Sequence, residues 1–463
     1  MATTFEIETA IVGAGQAGVP LARALAGAGR QVALVERGHP GGSCVNWGCT
    51  PSKAMIASSR LAAQARRASD WGIRIPTVEV DFAAVMDRAR GMVEGARGEL
   101  EESLAAQANL RLVRGHARLD GREGDGRFRL RVGGDALLAR EVVLDTGTRS
   151  ARPPVEGLDR LPPERLIDAE NWIDRRELPE SVVFLGGGTI ALEMAQAWRR
   201  FGAAVTIVES GPRLAEREDE EVSAELRDAL EAEGVSVRCG EDARRVEPTG
   251  GGVRLHLGAG GTLEATHLFV ATGRRANTDD LGLDTVGLEP GKRGEIEVDD
   301  RLRTKVPGLF AAGDIRGGGQ FTHTAYDDHR VLDSQILGDG SRTTERILPY
   351  AIFTEPELGR VGMTEAQARE AGHRVLVGRQ PMGESGKARE IGRTRGFIKV
   401  VAEAGGRRVL GAAALCDSGS EVVQLFVELM NAGAPVDTML DAVHIHPTLG
   451  EAAKNAAAAL KDA

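Results

Sequence analysis

Glu6-Ile-Glu-Thr-Ala-Ile-Val-Gly13-Ala-Gly15-Gln-Ala-Gly18 reads as a β-strand that runs into a glycine turn and opens a helix. Glu6 to Val12 is the strand, the turn has the spacing GxGxxG, and Val19 to Ala28 continues with helical periodicity. A second β-run, Gln31 to Val35, ends on Glu36. Each part suits dinucleotide binding. Gly13 makes the tight turn, Gly15 lets a diphosphate approach the backbone, Gly18 lets helix pack on strand, and Glu36 can accept from ribose hydroxyls.

The pattern occurs a second time. Val182 to Leu185 is a strand, Gly186-Gly-Gly188-Thr-Ile-Ala191 the turn, Leu192 to Phe201 the helix, and Ala204 to Val208 a strand ending on Glu209. Glu36 and Glu209 each stand 23 positions after the first glycine of their unit. Two such units predict two bound dinucleotides. Glu209 at the ribose position favours NADH, because a 2′-phosphate would meet a carboxylate. Arg213 nearby leaves NADPH open.

Composition sets the frame for these units. The 463 residues are enough for about three domains. No apolar run approaches the roughly 18 residues of a membrane span, and Met1 to Ala10 carries acidic residues where a signal peptide would be basic. The expectation is a soluble, cytoplasmic protein without a membrane partner. A formal charge of −10 argues against nucleic acid as a partner. Four cysteines in so long a chain do not make an extracellular disulfide framework.

Two of those cysteines stand together in Gly41-Gly42-Ser43-Cys44-Val-Asn-Trp47-Gly48-Cys49-Thr-Pro51-Ser-Lys53. In a regular helix an i to i+5 pair lies about 7.5 Å apart along the axis, beyond the roughly 7 Å a disulfide tolerates. If they pair, the segment must bend, with Gly48 supplying the freedom and Pro51 suiting the first turn of a following helix. Cys239 in a strand-like run and Cys416 at the end of an apolar run read as buried bystanders.

The remaining segments are assigned from pattern. Ala54 to Ala68 and Asp81 to Ala106 read as an exposed pair of helices, Leu110 to Leu119 and Phe128 to Val132 as strands, and Leu138 to Leu144 as a buried strand before Thr146-Gly147. Pro153, Pro154, Pro162 and Pro163 mark a connection. Leu268 to Gly273-Arg274 resembles Leu144-Asp-Thr146-Gly147, and Leu309-Phe-Ala-Ala-Gly313-Asp314 is an apolar strand ending on a carboxylate. From about Leu348 the pattern changes to antiparallel strands, with capping boxes expected at Thr364–Gln367 and Ser418–Glu421. His444-Ile-His446-Pro447-Thr-Leu-Gly-Glu451 precedes an alanine-rich helix.

Together these stretches resemble the pyridine nucleotide-disulfide oxidoreductases, the class that includes dihydrolipoyl dehydrogenase, glutathione reductase and mercuric reductase. The resemblance rests on GAGQAG at Gly13, GGSCVNWGCTPSK at Gly41, GGGTIALE at Gly186, ATGR at Ala271, AAGD at Ala311 and HPTLGE at His446. It implies an α/β fold with two Rossmann-like dinucleotide-binding domains and a C-terminal α+β dimerisation domain. The implied boundaries are 1–148 and 273–345 for FAD, 149–272 for NAD(P)H, and 346–463 for the interface.

The resemblance also implies roles. Cys44 and Cys49 would form the redox-active disulfide, Cys49 facing the flavin and Cys44 attacking substrate. Lys53 would pair with Glu193 near the flavin. His446 of the other subunit of a homodimer would be the acid/base, oriented by Glu451. FAD contacts are expected at Gly13, Gly15, Gly18, Glu36, Gly42, Ser43, Lys53, Thr146, Gly147, Gly313 and Asp314. Nicotinamide-dinucleotide contacts are expected at Gly186, Gly188 and Glu209, cofactor contacts also at Gly273 and Arg274, and no resident metal is expected.

The implied substrate is a small or lipoyl-type dithiol or disulfide. The alternative is reduction of a metal ion, mercury or copper, or of a quinone. Gln320-Phe-Thr-His-Thr-Ala-Tyr326-Asp-Asp328 is similar to mercuric-reductase-like and copper-reducing flavoproteins. Against mercury, the sequence ends Lys461-Asp-Ala463 without a vicinal cysteine pair and keeps His446. Trp47 replaces the small or aliphatic residue usual in dihydrolipoyl dehydrogenases, a bulky indole between the cysteines that can narrow substrate access, either blocking the channel or shaping it. Thr189 stands where glutathione reductases often carry a tyrosine.

Overall fold

The computed structural model describes residues 4–462. Strand β1 (Thr4–Val12) turns through Gly13 into helix α1 (Gly18–Gly27), and β2 (Val32–Glu36) returns parallel to β1. Gly13 has φ +109°, and a Cβ there would fall 2.1 Å from the Asp145 carbonyl oxygen, so only glycine makes this turn. Helices α2 (Gly42–Asn46), α3 (Cys49–Arg66) and α4 (Phe82–Ala105) follow. Strands β3 (Leu110–Arg114), β4 (Ala117–Arg122), β5 (Phe128–Val132) and β6 (Asp135–Leu144) complete a sheet ordered β3-β2-β1-β6-β5-β4.

The expected single strand Leu110–Leu119 is two strands on opposite edges of this sheet. Gly115, at φ +145°, breaks the run; β3 then pairs with β2, and β4 with β5. Alternation of apolar residues persists through a turn, so pattern alone does not reveal the break. The pair α3 and α4 is not an exposed hairpin either. Met55, Ile56, Met86 and Ala89 are buried in the same core as helix residues of the second dinucleotide unit.

After β7 (Thr148–Ser150) and β8 (Leu166–Ile167), the second unit runs β9 (Ser181–Leu185), α5 (Thr189–Phe201), β10 (Ala204–Glu209), α6 (Glu220–Ala232) and β11 (Ser236–Cys239). A three-stranded antiparallel sheet, β12 (Ala243–Pro248), β13 (Val253–Leu257) and β14 (Thr262–Ala265), leads to β15 (His267–Val270). The parallel sheet is β11-β10-β9-β15-β8. Its core is aromatic: Phe184 stacks on Phe269 at 4.7 Å, and buried Trp198 meets both rings edge-on.

The chain then returns to the first unit. β16 (Arg274–Ala276) pairs with β7, and β17 (Leu309–Ala311) joins β6 over Val142–Leu144, above the stretch that β5 occupies. In the first sheet the strand order reverses at β1/β6, the place where parallel sheets open a crevice at their carboxyl ends. Helix α7 (Thr322–Ile336) crosses that end.

From β18 (Pro349–Ile352) onward a six-stranded antiparallel sheet carries the last unit, with β19 (Glu357–Gly362), β20 (Val375–Pro381), β21 (Phe397–Glu403), β22 (Val409–Cys416) and a short terminal strand at Lys461–Asp462. The Thr364 capping box forms as expected. The one expected at Ser418 does not: Ser418 takes φ +53° and its hydroxyl turns to Asp417, away from the helix N–H groups. Among the described residues no helix is long and apolar enough to cross a membrane.

Candidate active site

A cleft of about 1360 Å³ opens at the carboxyl end of the first sheet. Gly13, Gly15, Glu36, Gly42, Ser43, Cys44, Cys49, Lys53, Thr146, Gly147, Arg274 and Asp314, all singled out from the sequence, line it. The cysteine loop is tied to the dinucleotide turn: Gly41 N donates to Ala14 O at 2.7 Å, and Gln16 Nε2 to Gly41 O at 3.0 Å. Gly42 has φ +60°, and a Cβ on it would meet Gly15 Cα at 2.9 Å. Inside the loop, buried Asn46 donates to Gly42 O at 2.7 Å and to Pro40 O at 3.2 Å, fixing its entry.

The bend between the cysteines falls at Trp47-Gly48, between α2 and α3. Gly48 N donates to Ser43 O at 2.6 Å, and a Cβ on Gly48 would lie 2.8 Å from that oxygen. Gly48 is thus needed for close approach, since its φ of −96° is open to any residue. Trp47 turns its ring against the core shared by α3 and α5, and its carbonyl accepts from Trp172 Nε1 at 2.8 Å.

Both cysteines are free thiols. Cys49 opens α3, and its sulfur lies 3.1 Å from Thr322 Oγ1 at the start of α7. The hydrogen bond from Cys44 pulls the Cys49 pKa down to about 6, helped by Thr322 and Lys53 against the opposing cost of burial. Cys44 moves the other way: its hydrogen bond to Cys49 and its own burial push its thiol well up. Within the pair the thiolate is favoured at Cys49 and the proton at Cys44.

One turn further along α3, Lys53 Nζ donates to Glu193 Oε2 of α5 at 2.8 Å and lies 4.5 Å above the Phe353 ring. Glu193 is buried, and its other oxygen accepts from Phe353 N at 2.9 Å. Lys53 thus spans the two dinucleotide units at the cleft. Deeper in the cleft, Thr148 Oγ1 donates to Asp314 at 3.2 Å, while Arg274 donates to Thr148 Oγ1 at 2.7 Å and lies 3.6 Å from Glu170. Gly313 N donates to buried Asp328, which also pairs with Arg316 and Arg346.

The acids that end the second strand of each unit, Glu36 and Glu209, are set alike. Glu36 accepts from Ala14 N at 2.9 Å and Gly38 N at 2.7 Å. Glu209 accepts from Gly187 N at 2.5 Å and Gly211 N at 2.6 Å. Gly186, at φ +102°, sits against the Ala271 carbonyl as Gly13 sits against that of Asp145. Gly186, Gly188, Glu209 and Gly273 do not line the first cleft. Cys239, read as a buried bystander, is only half-buried, and stands beside Glu209 in the β10/β11 register.

His446 and Glu451 are not brought to this cleft within one chain. Their side chains meet at 2.8 Å, Nδ1 to Oε2, with Thr448 capping the helix Leu449–Ala458 that carries Glu451. The His446 side chain is 75 % exposed, and Val443 and Ile445 beside it are exposed as well.

Sequence reading missed two groups in the cleft. Thr322 falls inside the Gln320–Asp328 stretch whose likeness was noticed without a role for the hydroxyl. Asp145 was quoted with Thr146-Gly147 and passed over.

The family description "Pyridine nucleotide-disulphide oxidoreductase" matches residues 7–328, and its dimerisation domain matches residues 348–457. The chain belongs to the pyridine nucleotide-disulphide oxidoreductase family. Dihydrolipoyl dehydrogenase of Geobacillus stearothermophilus is 33% identical over 458 residues, covering 98% of this chain and 96% of that one. Mercuric reductase of Streptomyces lividans is 34% identical over 459 residues, covering 97% and 95%. The solved Cu(II) complex of the HOCl-induced flavoprotein disulfide reductase RclA from Escherichia coli superposes with TM-score 0.89 at 30% identity, covering 98% and 99%.

The family is FAD-dependent and NAD(P)-linked, and this chain is an enzyme of that class. The residues present fit FAD. The glycine cradle at Gly13 and Gly15 leaves backbone open to a diphosphate, Glu36 presents a carboxylate at the ribose end, and Lys53 and Cys49 line the far end of the same cleft.

Proposed function

We propose that the enzyme transfers electrons between NADH and a lipoyl-type dithiol or disulfide through Cys44 and Cys49. The observation that carries this reading is geometric: Cys44 and Cys49 line one cleft, with Thr322 Oγ1 3.1 Å from the Cys49 sulfur and Lys53, held by Glu193, one turn further along α3. FAD, when bound, supplies the two-electron relay between nicotinamide and the pair. FAD contacts are assigned to Gly13, Gly15, Gly18, Glu36, Gly42, Ser43, Lys53, Thr146, Gly147, Gly313 and Asp314. Gly186, Gly188, Glu209 and Gly273 are assigned to the nicotinamide dinucleotide, and Arg274, which lines the first cleft beside Thr148 and Asp314, to FAD.

In the reducing direction Cys44 gives its proton to His446 and attacks a sulfur of the substrate disulfide. A mixed disulfide forms, and the leaving thiolate takes the proton back from His446. The Cys49 thiolate then attacks the Cys44 sulfur, closing the Cys44–Cys49 disulfide and releasing the second substrate thiolate. His446 comes from the second subunit of a homodimer, with Glu451 on Nδ1 fixing its tautomer so that Nε2 handles the proton.

NADH is preferred to NADPH. Glu209 is held by two backbone N–H groups where a 2′-phosphate would lie, and Arg213 is spent on the Glu216 and Glu218 carbonyls at 2.9 and 3.3 Å.

Anaerobic NADH should raise a long-wavelength thiolate-to-flavin absorbance in the parent protein and none in Cys49→Ser. If the parent shows no such band, the disulfide mechanism falls. A second reading, with a metal ion such as copper(II) as the terminal substrate, is favoured by the full-length likeness to the RclA–Cu(II) complex and by Cys49 being open to the cleft. Turnover with lipoamide, copper(II), mercuric ion and a quinone, each with NADH and NADPH, decides between them.

A further inference from the structure

The two dinucleotide units differ at the residue before the Thr-Gly pair that faces the turn. Leu144-Asp145-Thr146-Gly147 in the first corresponds to Val270-Ala271-Thr272-Gly273 in the second. A Cβ on Gly188 would have nothing within 4 Å, whereas the equivalent Cβ on Gly15 would fall 2.8 Å from Asp145 Oδ2. Gly18 and Gly313 also make room for this carboxyl, with added Cβ atoms at 3.0 Å from Oδ2 and 2.5 Å from Oδ1. Three glycines on two separate segments, Gly15 and Gly18 of the turn and Gly313 after β17, therefore enclose one acid side chain.

Asp145 is 6% exposed and lines the cleft. Its Oδ2 accepts from Gly18 N at 2.7 Å, the first residue of α1, and its Oδ1 has no partner among the described residues. The charged groups that bear on it are Asp314, Asp328 and Glu36, all acidic. Asp328 is offset by Arg316 and Arg346, and Arg274 acts on Asp314. An ionised carboxylate here would face other carboxylates and the place where a dinucleotide diphosphate meets the turn.

We propose that Asp145 is a neutral carboxylic acid in the holoenzyme and donates a hydrogen bond from Oδ1 to the diphosphate of the flavin dinucleotide, while Oδ2 keeps the Gly18 N–H. This rests on the reading that the first unit holds FAD. Burial, and secondarily the neighbouring acids, raise the Asp145 pKa well above that of a free carboxyl, against the pull of the Gly18 N–H. When Asp145 is ionised, flavin uptake must bind one proton to it, so affinity falls as pH rises.

The test follows flavin release from the holoenzyme by fluorescence. As pH rises from the neutral into the alkaline range, release from the parent should quicken by about tenfold or more, the worth of one hydrogen bond to a charged group. Asp145→Asn, which can donate to the diphosphate and accept from Gly18 without titrating, should retain flavin with a flat profile. Asp145→Ala should lose flavin about tenfold faster at the low end of that range. Infrared spectra of the parent holoenzyme should carry a protonated-carboxyl stretch that is missing from Asp145→Asn.

The proposal is overturned if the stretch is absent, if parent and Asp145→Asn share one pH profile, or if Asp145→Asn loses flavin as readily as Asp145→Ala. A parent protein that takes up no flavin overturns the reading of the first unit itself, which is a separate result.

Discussion

Thr322 is the residue whose contribution is easiest to isolate. Its hydroxyl lowers the Cys49 pKa by donating to the sulfur from the first turn of α7, where the helix dipole adds its own positive end. Because that pKa is depressed, Cys49 is thiolate above about pH 6 and thiol below it. Alkylation by iodoacetamide in the reduced enzyme should therefore be near its plateau at neutral pH and fall as pH drops through that value. Thr322→Val keeps the shape and removes the donor, so the midpoint should move upward by about one unit, worth about 1.4 kcal/mol. Thr322→Ser should restore it. An unchanged midpoint in the valine variant would mean that the hydroxyl accepts from the thiol. Lys53 acts at the same scale through a different cost. Lys53→Met leaves buried Glu193 with the Phe353 N–H alone and should destabilise the protein by about 3 kcal/mol, measured by denaturant unfolding. Lys53→Met combined with Glu193→Leu should recover much of that loss.

Among elements, the loop carrying α2 is placed by glycine. Gly42→Ala puts a methyl where the backbone takes φ +60° and where Gly15 Cα would lie 2.9 Å away, so the cysteine loop must retreat from the dinucleotide turn. Thermal unfolding should fall by the equivalent of about 1–2 kcal/mol and flavin should be held less tightly. An alanine variant with parent stability and parent flavin retention would show that the loop shifts without cost. The two dinucleotide units were legible in the sequence because strand, turn, helix and acid each have a local signature, and the repeat doubled it. The split of Leu110–Leu119 was not, since which edge a strand joins is settled by distant residues of β2 and β5. Ser418 matched a capping pattern, yet its backbone lies in the left-handed region and its side chain bonds Asp417. Asp145 escaped notice for a related reason: its meaning lies in the glycines that surround it from two segments far apart in the sequence.

At the scale of the whole molecule, the groups of the proposed site lie apart within one chain. The Cys44–Cys49–Lys53–Glu193 group faces the cleft, while His446 and Glu451 form a preset pair on an exposed surface flanked by Val443 and Ile445. Exposed apolar residues beside a histidine whose Nδ1 is already engaged make sense if a second copy covers them and brings its thiols to Nε2. Mixing defective chains tests this directly. Cys44→Ser and His446→Ala homodimers should each be nearly inactive toward a disulfide substrate. Unfolded or dissociated together and reassociated at equal amounts, half of the dimers are mixed, and each mixed dimer joins an intact thiol pair to an intact histidine at one of its two sites. Activity should then return to about a quarter of the parent value per chain. A site contained within one chain gives a different answer, because in a mixed dimer neither chain would hold both groups and activity would stay near zero. The recovered fraction therefore reports on the geometry of sharing, independently of which disulfide, thiol or metal ion finally takes the electrons.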